Sequence, residues 1–290
     1  MTGILVGVLG MSSSAEAELL LYEGFDYSAE ELLQGQDGGV GWPVEGDGSS
    51  SSRRGWAYNT ATVGEASMSY TDGDGNELVT SGNRAVISAT NASTHGRAVR
   101  YATPTDASPN LGADGGQLWL SYLADPTGSV SNTILDLGFG NPTSAGNVTF
   151  RIGGFDGVWS LRSARDSVAS NTNVSWDTPA FVLLMFEFPD PQDTEGVTNA
   201  YLWLNPKLNE APDTSTADAA IEDLTGDHTF DAVYFWHARQ NYGSSVFNVD
   251  ELRIGTTYGS VTPIPEPGMV GLVGLGALMF IKRRGTPSAN

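Results

Sequence analysis

The chain has no cysteine in 290 residues, so no disulfide staples it and no thiolate site holds a metal. It is poor in positive charge: 14 Lys and Arg stand against 34 Asp and Glu, a formal charge of −20. That balance opposes nucleic acid and anionic lipid as partners and suits solubility, cation binding or neutral partners. Helical periodicity is nearly absent, and only Thr214 to Leu224 reads as a short helix. Several chemical signatures are missing too. There is no Gly-x-Ser-x-Gly and no Gly-x-x-x-x-Gly-Lys, and His95, His228 and His237 lie in unrelated contexts.

What is present is a succession of short strand-like runs separated by turn residues. Glu18–Asp26, Trp56–Val63, Ala85–Ala89, Arg97–Tyr101, Gln117–Ala124 and Thr133–Phe139 read as strands. Ala66–Tyr70 and Glu77–Thr80 read as a hairpin around Asp72-Gly73-Asp74-Gly75-Asn76, and Val148–Ile152 with Val158–Arg162 as another across Gly153-Gly154. The run FVLLMFEF, Phe181–Phe188, is nearly continuous in apolar residues, as expected of a central strand covered on both faces. Ala200–Leu204, Phe230–His237 and Val246–Ile254 alternate more cleanly. The pattern predicts an all-β, antiparallel two-sheet β-sandwich of the jelly-roll kind.

The two ends have a different character. Residues 1–17 carry an apolar run from Gly3 to Met11 and an Ala15-Glu16-Ala17 cleavage pattern, expected of a signal peptide, although no Lys or Arg precedes the run. In residues 262–290, Pro265-Glu266-Pro267 is followed by the uncharged run Gly268–Ile281 and then by Lys282, Arg283 and Arg284. As a helix those 14 residues reach about 21 Å, short of a hydrocarbon core of about 30 Å. With the four residues before them they form a marginal transmembrane-type helix, and the basic end should stay cytoplasmic. Without Glu16 and the three basic tail residues the body holds 11 bases and 33 acids, a formal charge of −22.

This order of elements resembles the PEP-CTERM sorting signal of Gram-negative bacteria. The resemblance covers about one tenth of the chain. It implies recognition by an exosortase-type membrane protease, an inner-membrane intermediate, removal of the tail, and delivery to the cell surface or extracellular matrix. A second resemblance lies in the body. The opening LLLYEGFDY (Leu19–Tyr27), Gly41-Trp42, YLWLNP (Tyr201–Pro206) and VDELRIGTTYGSV (Val249–Val261) are similar to concanavalin A-like, laminin-G-like jelly rolls. That likeness spans residues 18–261 and implies that the last strand returns beside the first, bringing Asp250–Ile254 near Leu19–Phe25.

Candidate chemistry is sparse. Glycoside hydrolysis needs two carboxylates about 5 to 10 Å apart. Hydrolases on this fold place them as Glu-x-Asp-x-x-Glu, which does not occur here; Glu187 is a lone acid, and adjacent Asp250 and Glu251 are expected on opposite faces, capping a loop in water. Asp72, Asp74 and Asn76 offer oxygens at alternate positions and read as a plain hairpin turn, with a calcium loop as the alternative; no cofactor is expected apart from that alternative. Trp42 and Trp56 flank a Ser/Gly-rich stretch and are expected to be exposed, as a sugar-stacking platform would be. The reading is an exported, non-catalytic protein of the surface or matrix, associated with extracellular polysaccharide. The alternatives are a calcium-assisted, lectin-like glycan-binding module and a carbohydrate-active hydrolase or lyase.

Overall fold

Alternating side chains leave this chain two ways to hide its apolar residues, and it uses both: strands pair into two sheets, and the sheets face one another. The computed structural model describes residues 18–43, 56, 61–89, 96–102, 110–126, 135–138, 148–193, 196–237 and 245–265. Strands β1 (Leu19–Glu23), β2 (Ala61–Gly64), β3 (Arg84–Ala89), β5 (Gly116–Asp125), β10 (Ala180–Phe188), β11 (Val197–Leu204), β12 (Ala219–Thr225) and β14 (Ser245–Gly255) form one sheet. Strands β4 (Gly96–Tyr101), β6 (Leu135–Gly138), β7 (Val148–Phe155), β8 (Val158–Ser163), β9 (Val168–Ser175) and β13 (Ala232–His237) form the other. The first runs β12-β11-β10-β5-β14-β3-β2, with β1 also on β14; the second runs β4-β13-β6-β7-β8-β9. The named strand pairs are antiparallel.

The main core lies between the sheets. Leu120, Tyr122, Val182, Leu184, Phe186 and Leu202 of the larger sheet meet Leu135, Leu137, Phe150, Ile152, Trp159 and Phe235 of the smaller. The larger sheet is covered on its other face as well. Trp119, Leu183, Met185, Tyr201 and Trp203 pack there against Val261 and Tyr258 of the one-turn helix α1 (Tyr258–Val261), and Phe181 and Leu123 pack against Leu78 and Leu208. This double cover explains the apolar run in β10, which sits between β11 and β5. Val79 N–H donates to the Pro263 carbonyl and Ile264 packs against the cluster of Leu78, Leu123, Phe181 and Leu208, tying the chain after α1 to this face.

The expected return of the last strand holds: Leu21 pairs with Ile254 and Glu23 with Leu252. Other expectations change. Thr214 to Leu224 is one turn of 3-10 helix, Thr214–Thr216, followed by strand β12. Ala219 and Ile221 alternate into the core, and a bulge around Asp223, whose φ is 59°, brings Leu224 in as well. The turn between β7 and β8 is Asp156-Gly157, with φ of 56° and 82°, so Gly153 and Gly154 lie inside the strand. Gly154 is needed there because a Cβ would fall 2.0 Å from the Trp176 ring. Residues 66–80 form no ladder and make only the Thr71–Glu77 bridge. Strand β9, VASNTNVS, pairs with β8 without an apolar alternation to announce it. Among the described residues no helix is long and apolar enough to cross a membrane. The sorting residues Glu266, Pro267, Lys282, Arg283 and Arg284, the tail helix and the leader lie outside the described residues; Pro265 is exposed.

One ion pair joins the sheets. Arg100 of β4 shares the inner face with Ala98 and Ala102, and its guanidinium meets the Glu23 carboxylate of β1 with both side chains buried. Glu23 also accepts from the Phe25 N–H (2.9 Å), the Tyr27 hydroxyl (2.8 Å) and Trp56 Nε1 (3.1 Å), while Arg100 donates to the Gly38 carbonyl (2.6 Å). Breaking a buried pair from one side leaves the other charge uncompensated. Glu23→Gln and Arg100→Met should each lower unfolding free energy by about 3–5 kcal/mol in urea titrations, and the double variant should lose clearly less than their sum; additive losses would show that the two groups act independently.

Candidate functional site

Trp42 and Trp56 are not an exposed platform. Trp56 is 0% and Trp42 7% exposed. Arg100 lies over both rings, 4.5 Å from the Trp42 centroid and 5.8 Å from Trp56; Trp56 also stacks on Phe25 and Phe235 at 5.6 Å, and Trp42 Nε1 donates to the Tyr22 carbonyl at 2.8 Å. Both ring faces and the Trp56 indole proton serve the inter-sheet ion pair.

The loop at Asp72 is built as a hydrogen-bonded turn. Asp72 Oδ1 accepts from the N–H groups of Asp74 (2.9 Å) and Asn76 (2.8 Å); Oδ2 accepts from Asn76 Nδ2 (2.9 Å) and the Leu208 N–H (2.8 Å). Burial raises its pKa, but these four donors outweigh it and hold the carboxyl down at about 2. Asp74 faces the Lys207 ammonium at 2.9 Å, so a cation entering here competes with one already held.

Asp250 and Glu251 do not face water, nor do they diverge. The ladder is bulged between Asp250 and Arg253, and Glu251 has φ of 56°, so both acids reach the segment 67–81. Asp250 accepts from Ser67 Oγ and the Met68 N–H, both at 2.7 Å; Glu251 accepts from the Ser81 N–H and from Arg253. Burial, opposed by those two bonds and aided by the Glu251 charge, pushes Asp250 up to about 8. Glu187 pairs across strands with amides, Gln117 at 3.3 Å and Asn199 at 3.2 Å. His228 and Ser163 both contact Asp166 Oδ2 at 2.7 Å. The acid sits in the middle, whereas a nucleophilic triad needs the imidazole there. The side chain of His237 lies outside the described residues, as does His95.

One alignment of charged groups on the smaller sheet went unseen in the sequence. On its outer face Val99, Tyr234, Asp136, Arg151, Arg162 and Ala169 are successive cross-strand partners from β4 to β9. At about 4.8 Å per strand this row is about 24 Å long. Burial falls along it: Tyr234 and Asp136 are covered, the Arg151 and Arg162 side chains are 27% and 30% exposed, and Ala169 is open. Asp136 stands 3.6 Å from Arg151 Nε, and neither of its oxygens has a hydrogen-bond donor among the described residues. Burial pushes it up to about 7, against the pull of Arg151. Arg151 and Arg162 line a recess of 310 Å³ with Phe155, Ser163, Ser167 and Val168. Arg162 lies over the Phe155 ring, 3.7 Å from its centroid, and 3.5 Å from exposed Asp156.

No protein-family model and no curated protein matches the sequence. Solved structures resemble it in fold at low identity. An endo-beta-1,4-glucuronan lyase from the fungus Trichoderma reesei aligns with 71% of this chain and 91% of its own, at 12% identity and a TM-score of 0.42. A Trypanosoma rangeli sialidase aligns over 84% of this chain but 32% of its own, at 12% identity and a TM-score of 0.44. A cellulose induced protein aligns over 66% of this chain and 86% of its own, at 15% identity and a TM-score of 0.36.

Two outcomes follow from the titrating groups. A carboxyl raised in the folded state contributes stability below its unfolded pKa of about 4 and loses it as pH rises through the folded value. Asp136 and Asp250 should therefore erode stability between about pH 4 and pH 8. Asp136→Asn should raise the melting temperature at pH 8.5 relative to the parent, by a free energy of at most about 4 kcal/mol, with little gain at pH 5; equal effects at both pH values would contradict the raised carboxyl. For the Asp72 loop, melting curves in millimolar calcium and in chelator should coincide, and a calcium-dependent rise would show that the ion displaces Lys207.

Proposed function

We propose that the protein is an exported, non-catalytic component of the cell surface or extracellular matrix of a Gram-negative bacterium, held there in association with polysaccharide. The observation that carries the binding reading is the division of labour along the outer row of the smaller sheet. Its accessible polar groups are two guanidinium groups, which bind and orient. Asp136, the group in the row suited to giving and taking protons near neutrality, is covered. General acid–base catalysis needs the proton-transferring group within hydrogen-bond reach of the substrate. Asp250, the other strongly raised aspartate, is covered as well.

Delivery is proposed from the tail. Pro265-Glu266-Pro267, an apolar run too short for a comfortable permanent anchor, and the Lys282-Arg283-Arg284 end support transit through the inner membrane and processing by an exosortase-type protease. The strongly acidic body supports solubility outside the cell and disfavours nucleic acid as a partner.

Fractionation of a producing strain should find tail-intact protein in the inner membrane and a mature form lacking Lys282–Arg284. Removal of the protease should trap the first form, and secreted protein still ending at Asn290 would refute the sorting. Purified protein should be retained on matrix polysaccharide without releasing reducing ends or unsaturated sugars; release of either would replace the binding reading with the hydrolase or lyase alternative.

A further inference from the structure

The stretch between the last strand and the tail is bound closely to the body. After β14 ends, the Thr256 N–H donates to the Glu18 carbonyl at 3.0 Å, and Thr257 opens α1 with a capping box, its hydroxyl accepting from the Ser260 N–H. Tyr258 sets its ring edge-on to Trp119, 5.6 Å between centroids, and its hydroxyl donates to the Lys207 carbonyl. Val261 is fully buried in the outer cluster of the larger sheet, where its carbonyl accepts from Ser121 Oγ of β5 at 2.6 Å. Thr262 is buried as well, and its N–H (3.1 Å) and hydroxyl (2.9 Å) both donate to the Tyr258 carbonyl. The Pro263 carbonyl accepts from the Val79 N–H at 2.9 Å, and Ile264 packs on the cluster of Leu78, Leu123, Phe181 and Leu208. Pro265, the next residue, is exposed.

A protease must draw the backbone it cuts out of the surrounding structure, so buried and hydrogen-bonded backbone is cut only through local opening. Drawing out Val261 and Thr262 would lift an apolar side chain from its cluster, separate the Val261 carbonyl from buried Ser121 and uncover Trp119 and Trp203. That protection ends between Ile264 and Pro265, the residue at which the Pro-Glu-Pro element begins. A boundary in the packing and a boundary in the sequence therefore fall on the same bond. We infer that the folded body sets the upstream limit of tail removal: the hydrolysed bond lies after Ile264, and the mature protein keeps residues 257–264 as a strap over the outer face of the larger sheet. In that cut the carbon–nitrogen bond of one peptide unit breaks, and water supplies the hydroxyl of the new carboxyl group and a proton of the new amino group. The inference rests on the sorting reading above and adds to it where the chain is cut and what protects the rest.

The test compares the mature form from a producing strain with the purified full-length chain in mild detergent. Mass spectrometry of the mature form should find Ile264 retained; a C-terminus upstream of Ile264 would overturn the inference and leave the sorting reading standing. Brief digestion of the full-length chain with proteinase K should likewise leave a body that keeps Ile264, and cutting within residues 257–264 while the sandwich is folded would overturn the inference without reference to the cell. Val261→Ser should bring cutting into residues 257–264 and speed it there at least about tenfold. Ser121→Ala, which withdraws one hydrogen bond from the Val261 carbonyl, should do the same more weakly. Melting curves separate a loosened strap from a lost fold, and the unmutated chain reads the boundary even where a variant fails to fold. Unchanged digestion of folded Val261→Ser and Ser121→Ala would show that the strap is not what protects the chain, overturning the inference. Absence of any shortened form in cells would overturn both the inference and the sorting reading.

Discussion

The buried contact between Glu23 and Arg100 is the constraint around which the sandwich closes. Two charges leave water together only if each finds its counter-ion and its remaining hydrogen bonds in place. Here the requirement fixes more than a pair. It holds β1 of one sheet against β4 of the other, recruits the Phe25 N–H, the Tyr27 hydroxyl and the Trp56 indole to the carboxylate, and draws the Gly38 carbonyl and the Trp42 face to the guanidinium. The aromatic residues that looked free to meet a sugar are thereby committed to shielding an ion pair.

The two outer faces of the sandwich then diverge. The larger sheet is capped by α1 and by the segments near Leu78 and Leu208, which bury its aromatic residues under a second apolar layer. The smaller sheet keeps a graded face, covered at the β13 and β6 positions, half-buried at β7 and β8 and open at β9. On this face the covered position holds the raised carboxyl of Asp136, and the half-buried positions beside it hold Arg151 and Arg162. The acidic loop at Asp72 is likewise occupied, since its oxygens accept from three backbone amides and the Asn76 side chain, and its neighbour Asp74 faces Lys207.

Much of the fold was legible in the sequence because side-chain alternation is a local property. The run at Phe181–Phe188 announced a doubly covered strand, and the likeness at both ends of the body foretold the pairing of β1 with β14. The failures have local causes too. Strand β9 is polar, so no pattern marks it. Strand β12 contains a bulge, which breaks the period of two and lets Ala219, Ile221 and Leu224 pass for helical spacing. The bulge in β14 likewise turned Asp250 and Glu251 toward one segment, where strict alternation would have separated them.

The candidate site was hardly legible at all. Each of its charged members, in LDLG, TFRIGG and SLRS, reads alone as an ordinary wetted position between core residues. By itself the sequence determined the all-β architecture, the acidic surface and the distinct character of the two ends, because composition and alternation act along the chain. Only the tertiary structure decided that Asp136, Arg151 and Arg162 stand side by side, and that Glu23 and Arg100, 77 residues apart, meet across the core. Those juxtapositions depend on strand register and sheet packing, which are set by contacts between segments distant in sequence.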